Sequence, residues 1–178
     1  MRIISGTYKG KRLTAPKSLP VRPTTDFAKE GLFNILANRI DFSEVSLLDL
    51  FAGTGNISYE FASRGCQLIV SVDAHYGCVG FIKKTSEDLS FPIQTIKANV
   101  FKYLSSPHGT FDVIFADPPY EFTIQEFYEI IDKALLNHFL NPEGIIIIEH
   151  SKHTDLSAHT NFSEMRKYGG SIFSFFKL

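Results

Sequence analysis

The run Phe111–Ala116, followed at once by Asp117-Pro118-Pro119-Tyr120, limits the possible folds more than any other stretch of the chain. Its residues are mostly apolar with a β-branched centre, the pattern of a strand buried on both faces of a parallel sheet. Pro118 and Pro119 then end it, because neither can donate a ladder hydrogen bond. Their locked rings hold Asp117 and Tyr120 in a fixed relation at the strand's carboxyl end, where open α/β sheets bind ligands. A carboxylate at Asp117 and the backbone carbonyl of Pro118 can accept both N–H bonds of a planar amine and aim its delocalised lone pair. Tyr120 can stack on the flat group that carries the amine. The plain alternative is a strand closed by an ordinary Asp-Pro turn.

The pattern around this strand alternates. Strands are expected at 46–51, 67–73, 93–98, 111–116 and 144–149, with helices at 56–64 (closed by Gly65), 76–89, near Phe101 and at 124–138. In the last helix Ile124, Phe127, Tyr128, Ile131 and Leu135 share one face. Residues 164–168, Gly169-Gly170 and 171–177 read as a closing hairpin, since Gly-Gly between alternating runs favours a tight turn. The whole predicts an α/β fold, a Rossmann-like, doubly wound, mostly parallel sheet with an antiparallel hairpin at its C-terminal end.

An N-terminal extension precedes it. Residues 2–13 read as a short hairpin around Gly6 and Lys9-Gly10, and Pro16, Pro20 and Pro23 keep the following chain extended. Thr24-Thr25-Asp26 supplies N-cap residues for a helix over 27–37. Charge is segregated between the two parts. The net charge is −1, but residues 1–39 carry +6 and the remainder −7. A basic arm (1–43) ahead of an acidic body (44–178) favours contact with a polyanion over a merely solvated face.

At 178 residues one domain accounts for the chain. The longest apolar run, 145–148, is far too short to span a bilayer, and 1–6 has no apolar leader core, so a cytoplasmic protein is expected. Cys66 and Cys78, twelve positions apart, suit neither zinc nor a redox pair and are expected as buried thiols. His150 and His153, three apart, are expected as solvated loop residues, and no metal site is expected.

The strand at 46–51 runs into Leu48-Asp49-Leu50-Phe51-Ala52-Gly53-Thr54-Gly55-Asn56, a turn where Gly53 and Gly55 let backbone approach a ligand closely. Asp73, at the end of the next strand, suits ribose hydroxyls. The third glycine of a dinucleotide fingerprint is replaced by Ser58. Asp49 suits the ammonium group of S-adenosylmethionine and would repel a pyrophosphate, so that cofactor is favoured over NAD. At the end of the third strand Asn99 can read an adenine edge, the Val100 N–H can assist, and Phe101 can pack on the ring. Each could alone be an ordinary cap or core residue.

Asp49 to Gly55, Asp73, Asn99 and Asp117-Pro118-Pro119-Tyr120 together resemble the class I S-adenosylmethionine-dependent methyltransferases of planar amino groups, whose substrates include adenine, cytosine, guanine and glutamine. Met1-Arg2-Ile3-Ile4-Ser5-Gly6, Gly10-Lys11-Arg12-Leu13, Arg22-Pro23-Thr24-Thr25-Asp26 and Glu30-Gly31-Leu32-Phe33-Asn34-Ile35-Leu36 resemble the RsmD family in particular. Two residues depart from its usual pattern: Phe27 stands where a basic residue is common, and Asp73 where Glu is common. The resemblance implies methylation of the N2 amine of guanine 966 in 16S ribosomal RNA. It implies a partner in the small ribosomal subunit and RNA contacts at Arg2, Lys11, Arg12 and Arg22; Lys9 of the same basic arm is expected to join them, and a monomer is expected. The rival readings are methylation of adenine N6 or of a glutamine amide, and an RNA-binding module that has lost its cofactor.

Overall fold

The computed structural model of the chain describes residues 1–19 and 25–178. Seven strands form one sheet in the order β3-β2-β1-β4-β5-β7-β6. Five of them, β1 (Ser46–Leu50), β2 (Leu68–Asp73), β3 (Ile93–Lys97), β4 (Phe111–Ala116) and β5 (Leu140–Ser151), are parallel, with β3 at one edge of the sheet. β7 (Ser171–Phe176) runs antiparallel to β5, and β6 (Phe162–Tyr168) antiparallel to β7. The order reverses between β1 and β4, so a crevice opens at their carboxyl ends. The Rossmann-like expectation holds, including the closing hairpin.

Alternation along each strand divides the core into two layers. Leu48, Leu50, Ile114, Ala116, Ile146 and Ile148 face α4 (Val100–Tyr103) and α5 (Ile124–Leu136). Leu47, Ile69, Val113, Phe115, Ile145 and Ile147 face α1 (Asp26–Ala37) and α2 (Asn56–Ser63), with Phe173 and Phe175 of β7 beside them. α3 (Tyr76–Leu89) covers β2 and β3 on this second side. Helices on both faces are what allow β1 and β4 to be apolar along their length.

α3 and β4 fall where the sequence put them; other elements depart from expectation for identifiable reasons. β5 begins at Leu140 rather than 144, because a bulge opposite Phe111 and Val113 lets the strand extend back through Pro142. On α5 the buried face is Phe127, Ile130, Ile131 and Ala134, while Ile124 at the first turn is exposed. His150 is buried, not solvated: β5 continues through it to Ser151, and its Nε2 lies 2.8 Å from Ser174 Oγ. Burial pushes its imidazole below the usual pKa. Cys66 and Cys78 are free buried thiols, as expected, and burial raises both to about 11.

The N-terminal segment folds back on itself as the expected short hairpin: around the antiparallel bridge of Arg2 and Arg12, the Ile3 N–H donates to the Lys11 carbonyl at 2.9 Å and the Leu13 N–H to the Met1 carbonyl at 3.0 Å. Other backbone groups of the hairpin bond the body. The Ile4 and Ser5 N–H groups donate to the Glu60 carboxylate at 2.8 and 3.0 Å, and the Thr7 N–H donates to the Ser63 carbonyl at 2.7 Å. Ile3 packs with Tyr59, Ile82 and Leu89 of α2 and α3. α1 is capped by Thr25, whose hydroxyl accepts from the Ala28 N–H at 3.2 Å. Thr24 and Arg22 lie outside the described residues.

Candidate active site

Backbone hydrogen bonds join the ends of the central strands. The Asp117 N–H donates to the Leu50 carbonyl at 3.4 Å, Ala52 to Val72 at 3.1 Å, and Ala98 to Asp73 at 3.0 Å. These bonds bring the loops after β4, β1, β2 and β3 to one edge of the sheet. The carboxyl-end segments named from sequence, residues 51–55, Asp73, 99–101 and 117–120, therefore share that edge.

The loop after β1 is held in an uncommon backbone conformation. Phe51 has φ 57°, Gly53 54° and Gly55 81°. At Gly55 a methyl group would lie 2.8 Å from the Tyr59 ring, so both the dihedral and the space demand glycine. Phe51 is the exception, a bulky residue in the left-handed region, and nothing in the sequence signalled it. Asp73 closes the loop from below: one carboxylate oxygen accepts the Gly53 N–H at 2.8 Å, the other the His75 N–H at 2.7 Å.

Asn99 does not present a side chain free of the backbone. It is the N-cap of α4, and its Oδ1 accepts the Lys102 N–H at 3.1 Å. Val100 is buried at the first position of that helix. Phe101 stacks on Phe122 with ring centres 5.9 Å apart, and Phe122 meets Phe51 edge-on at 5.8 Å. Phe122 thus bridges the residues expected at the cofactor and the loop expected at the substrate. Sequence reasoning missed it, although it stands two places after Tyr120.

Three carboxyl groups converge beneath this edge. Asp49 is 2% exposed and accepts a hydrogen bond from Ser58 Oγ, which also lies 2.7 Å from Ser71 Oγ. Burial raises its pKa to about 7. Asp117 is raised well above the carboxylate range, first by burial, then by the nearby charges of Glu149 and Asp49. Glu149 had no place in the sequence reading; the β4–β5 register, Ala116 opposite Ile148, sets it beside Asp117. Pro118 is buried, whereas Pro119 and Tyr120 are exposed, Tyr120 at 45%. A flat group can therefore reach the tyrosine ring from solvent.

On the α1 side, Lys29 is 1% exposed. Its Nζ donates to the Arg2 carbonyl at 2.6 Å and to Asn56 Oδ1 at 2.8 Å, and lies 3.5 Å from Glu60 Oε2. Arg64 also pairs with Glu60, at 2.9 Å. This buried network links the arm, α1 and the first residue of α2, directly after the glycine turn. Of the arm's cations, Arg2 pairs with Asp26 at 3.5 Å, while Lys9, Lys11 and Arg12 are exposed.

A glycine turn that tolerates no methyl group, a carboxylate at the end of the second strand and an Asp-Pro-Pro-Tyr loop at the fourth suit S-adenosylmethionine, and define a Rossmann-like methyltransferase that uses it. Comparison with known proteins narrows this. The family described as Conserved hypothetical protein 95 matches residues 1–177. The chain is 31% identical over 180 residues to ribosomal RNA small subunit methyltransferase D of Haemophilus influenzae, covering 98% of this chain and 91% of that protein. The Escherichia coli protein of the same name is 31% identical over 157 residues, covering 84% and 74%. The solved structure of E. coli yhhF superposes with a TM-score of 0.85 at 26% identity, over 99% of this chain and 96% of that one. The Thermus thermophilus 16S rRNA N2 G1207 methyltransferase RsmC, solved with AdoMet and guanosine, has a TM-score of 0.72 at 20% identity, covering 89% and 45%, and is similar in fold. The chain belongs to the RsmD family of ribosomal RNA methyltransferases. Among the described residues, no helix is long and apolar enough to cross a membrane.

Proposed function

We propose that the chain methylates the N2 amine of guanine 966 in 16S ribosomal RNA, acting as a monomer on the small subunit in the cytoplasm. The observation that carries this reading is Asp117, a carboxyl group at the end of β4, beside the end of β1 that leads into the glycine turn and three positions before an exposed Tyr120. The family relationship over nearly the full chain supports the RNA substrate.

S-adenosylmethionine supplies a methyl group activated by a sulfonium. Gly53 and Gly55 would cradle it, with Asp73 toward the ribose, Asn99, Val100 and Phe101 toward the adenine, and Asp49 on the side of the ammonium. These assignments ask Asp73 and Asn99 to share or exchange the backbone bonds they now accept. The flipped guanine stacks on Tyr120. Its two amine N–H groups donate to the Asp117 carboxylate and the Pro118 carbonyl, which turns the nitrogen lone pair toward the methyl carbon. Most of the acceleration comes from this positioning. Transfer would form the N–C bond as the S–C bond breaks, its electron pair remaining on sulfur as a neutral thioether, and the nitrogen would lose one proton, which the raised affinity of Asp117 for protons suits it to receive.

Arg2, Lys9, Lys11, Arg12 and Arg22 would hold RNA phosphates. The test offers labelled S-adenosylmethionine with small subunits lacking the modification, with duplex DNA and with a release-factor-like protein, and digests the products to nucleosides and amino acids. N2-methylguanine from 16S RNA alone is the expected result. Label in N6-methyladenine or in protein overturns it. Neutralising the arm should lower methylation and flatten its salt dependence while sparing cofactor binding.

A further inference from the structure

The polarity of the sheet fixes which end of α1 lies at the active-site edge. β5 runs parallel to β4, and Ser151 at its carboxyl end pairs with Ser171 of β7, which in turn pairs with Tyr168 of β6. The tip of the closing hairpin therefore lies at the same end of the sheet as Asp117. Gly31 of α1 presses on the Tyr168 ring so closely that an added methyl would sit 2.2 Å from it. At the other end of α1, Arg39 pairs with Glu164, farther down β6 from the tip. α1 thus descends from the active-site edge. Phe27, one turn before Gly31, stands on the rim.

Phe27 is 66% exposed, and its ring meets that of Tyr168 edge-on, centres 6.0 Å apart at 74°. The mount is rigid. Tyr168 is wedged between Gly31 and Phe173, whose ring centre is 6.1 Å away. Beside it, Arg2 pairs with Asp26 while its backbone carbonyl is fixed by the buried Lys29. An exposed aromatic residue is ordinary by itself. A ring backed by a second ring on the substrate edge, with a half-exposed guanidinium paired to the adjoining Asp26, matches what single-stranded RNA offers: a base face next to a phosphate. The +6 charge of residues 1–39 favours that polyanion over a protein partner.

We propose that Phe27, backed by Tyr168, is a stacking platform for an unpaired RNA base next to the target nucleotide, with Arg2 on the adjoining phosphate. The inference rests on ribosomal RNA being the substrate and adds a second base contact, separate from Tyr120. Its geometry explains why the ring remains in water: the partner face is supplied by the RNA.

The experiment uses the full chain and a 16S RNA fragment around the target guanine, with the fluorescent base 2-aminopurine placed singly on each side of that guanine. One of the two labels should be quenched on binding the parent. Phe27→Leu, which keeps apolar bulk but loses the π face, should abolish that quenching and weaken RNA binding about tenfold. Phe27→Tyr should preserve both. Because the side chain is exposed, the Tm of both variants should stay within about 2 °C of the parent, which separates lost contact from lost fold. Parent-like quenching and affinity in Phe27→Leu overturn the proposal. So does weaker binding to whole subunits with unchanged binding to the RNA fragment, which would assign the ring to a ribosomal protein. Failure of the parent to form N2-methylguanine in small subunits is read separately and would count against the activity, whereas the quenching reports only on the stack.

Discussion

Lys29 Nζ reaches Asn56 Oδ1 at 2.8 Å inside the molecule, joining the helix of the N-terminal extension to the residue that follows the glycine turn. The same ammonium holds the Arg2 carbonyl and faces Glu60. Burial lowers the Lys29 pKa even though Glu60 opposes it. The network is therefore costly to leave half-built. Removing one partner of a buried pair costs about 3–5 kcal/mol. Lys29→Met should lower Tm by roughly 10 °C and speed hydrogen exchange at the Ile4 and Ser5 amides, which rest on Glu60. A Tm within 2 °C of the parent would remove the network from the structural account.

Asp49 gives the stability a pH dependence of definite sign. Its carboxyl is raised from 3.8 to about 7, so between those values the folded chain binds more protons than the unfolded one. The contribution is fully present below about pH 4 and is lost as pH rises through 7. Asp49→Asn should remove that slope and raise stability at pH 8, by at most ~4 kcal/mol. Denaturant unfolding from pH 4 to pH 8 measures it; an identical slope in the variant rejects the assignment.

At Asp117 the expectation concerns turnover. Asp117→Ala should lower kcat by roughly 10²-fold, as loss of a preorganised polar group does, with cofactor affinity almost unchanged. If the ionised carboxylate must accept the amine, kcat/KM of the parent should fall as pH drops through the raised pKa of Asp117. Turnover within a factor of two of the parent would exclude the role.

For Tyr120 the informative comparison is between two variants. Loss of the ring in Tyr120→Ala should cost about 1–3 kcal/mol of base stacking, while Tyr120→Phe keeps the face and should be mild. Equal damage from both would replace stacking with a role for the hydroxyl.

Asp73→Ala should weaken cofactor binding and leave RNA affinity unchanged, because the lost carboxylate braces the Gly53 amide and is the group proposed to face the ribose. Calorimetry with S-adenosylhomocysteine and filter binding with RNA separate the two quantities.

The local periodicities that shaped α3 and β4 are strong, and both elements begin and end where the sequence put them. The start of β5 was harder because Pro142 cannot donate a ladder hydrogen bond, and only the bulge carries the strand back past it. The carboxyl-edge placement of Asp73, Asn99 and Asp117 followed from strand ends, which are local. Their present partners did not. That Asn99 caps α4, that Glu149 stands beside Asp117, and that Phe122 joins Phe51 to Phe101 depend on register and loop geometry. Lys29 looked like one more arm cation; its contact with Glu60 spans thirty-one positions, and only the tertiary fold separates it from exposed Lys9 and Lys11.

Gly6 carries φ 82°, and a methyl group there would sit 1.8 Å from the Ser63 carbonyl oxygen of α2. The basic segment is thus seated on a helix of the catalytic sheet with no clearance between the two backbones. A shortened enzyme that begins after this segment would leave the Glu60 carboxylate without its Ile4 and Ser5 amides and expose Tyr59 and Ile82 to water. What reads as a detachable handle is, physically, one wall of the enzyme: the exposed charges of Lys9, Lys11 and Arg12 ride on a segment whose neighbouring residues close the catalytic body.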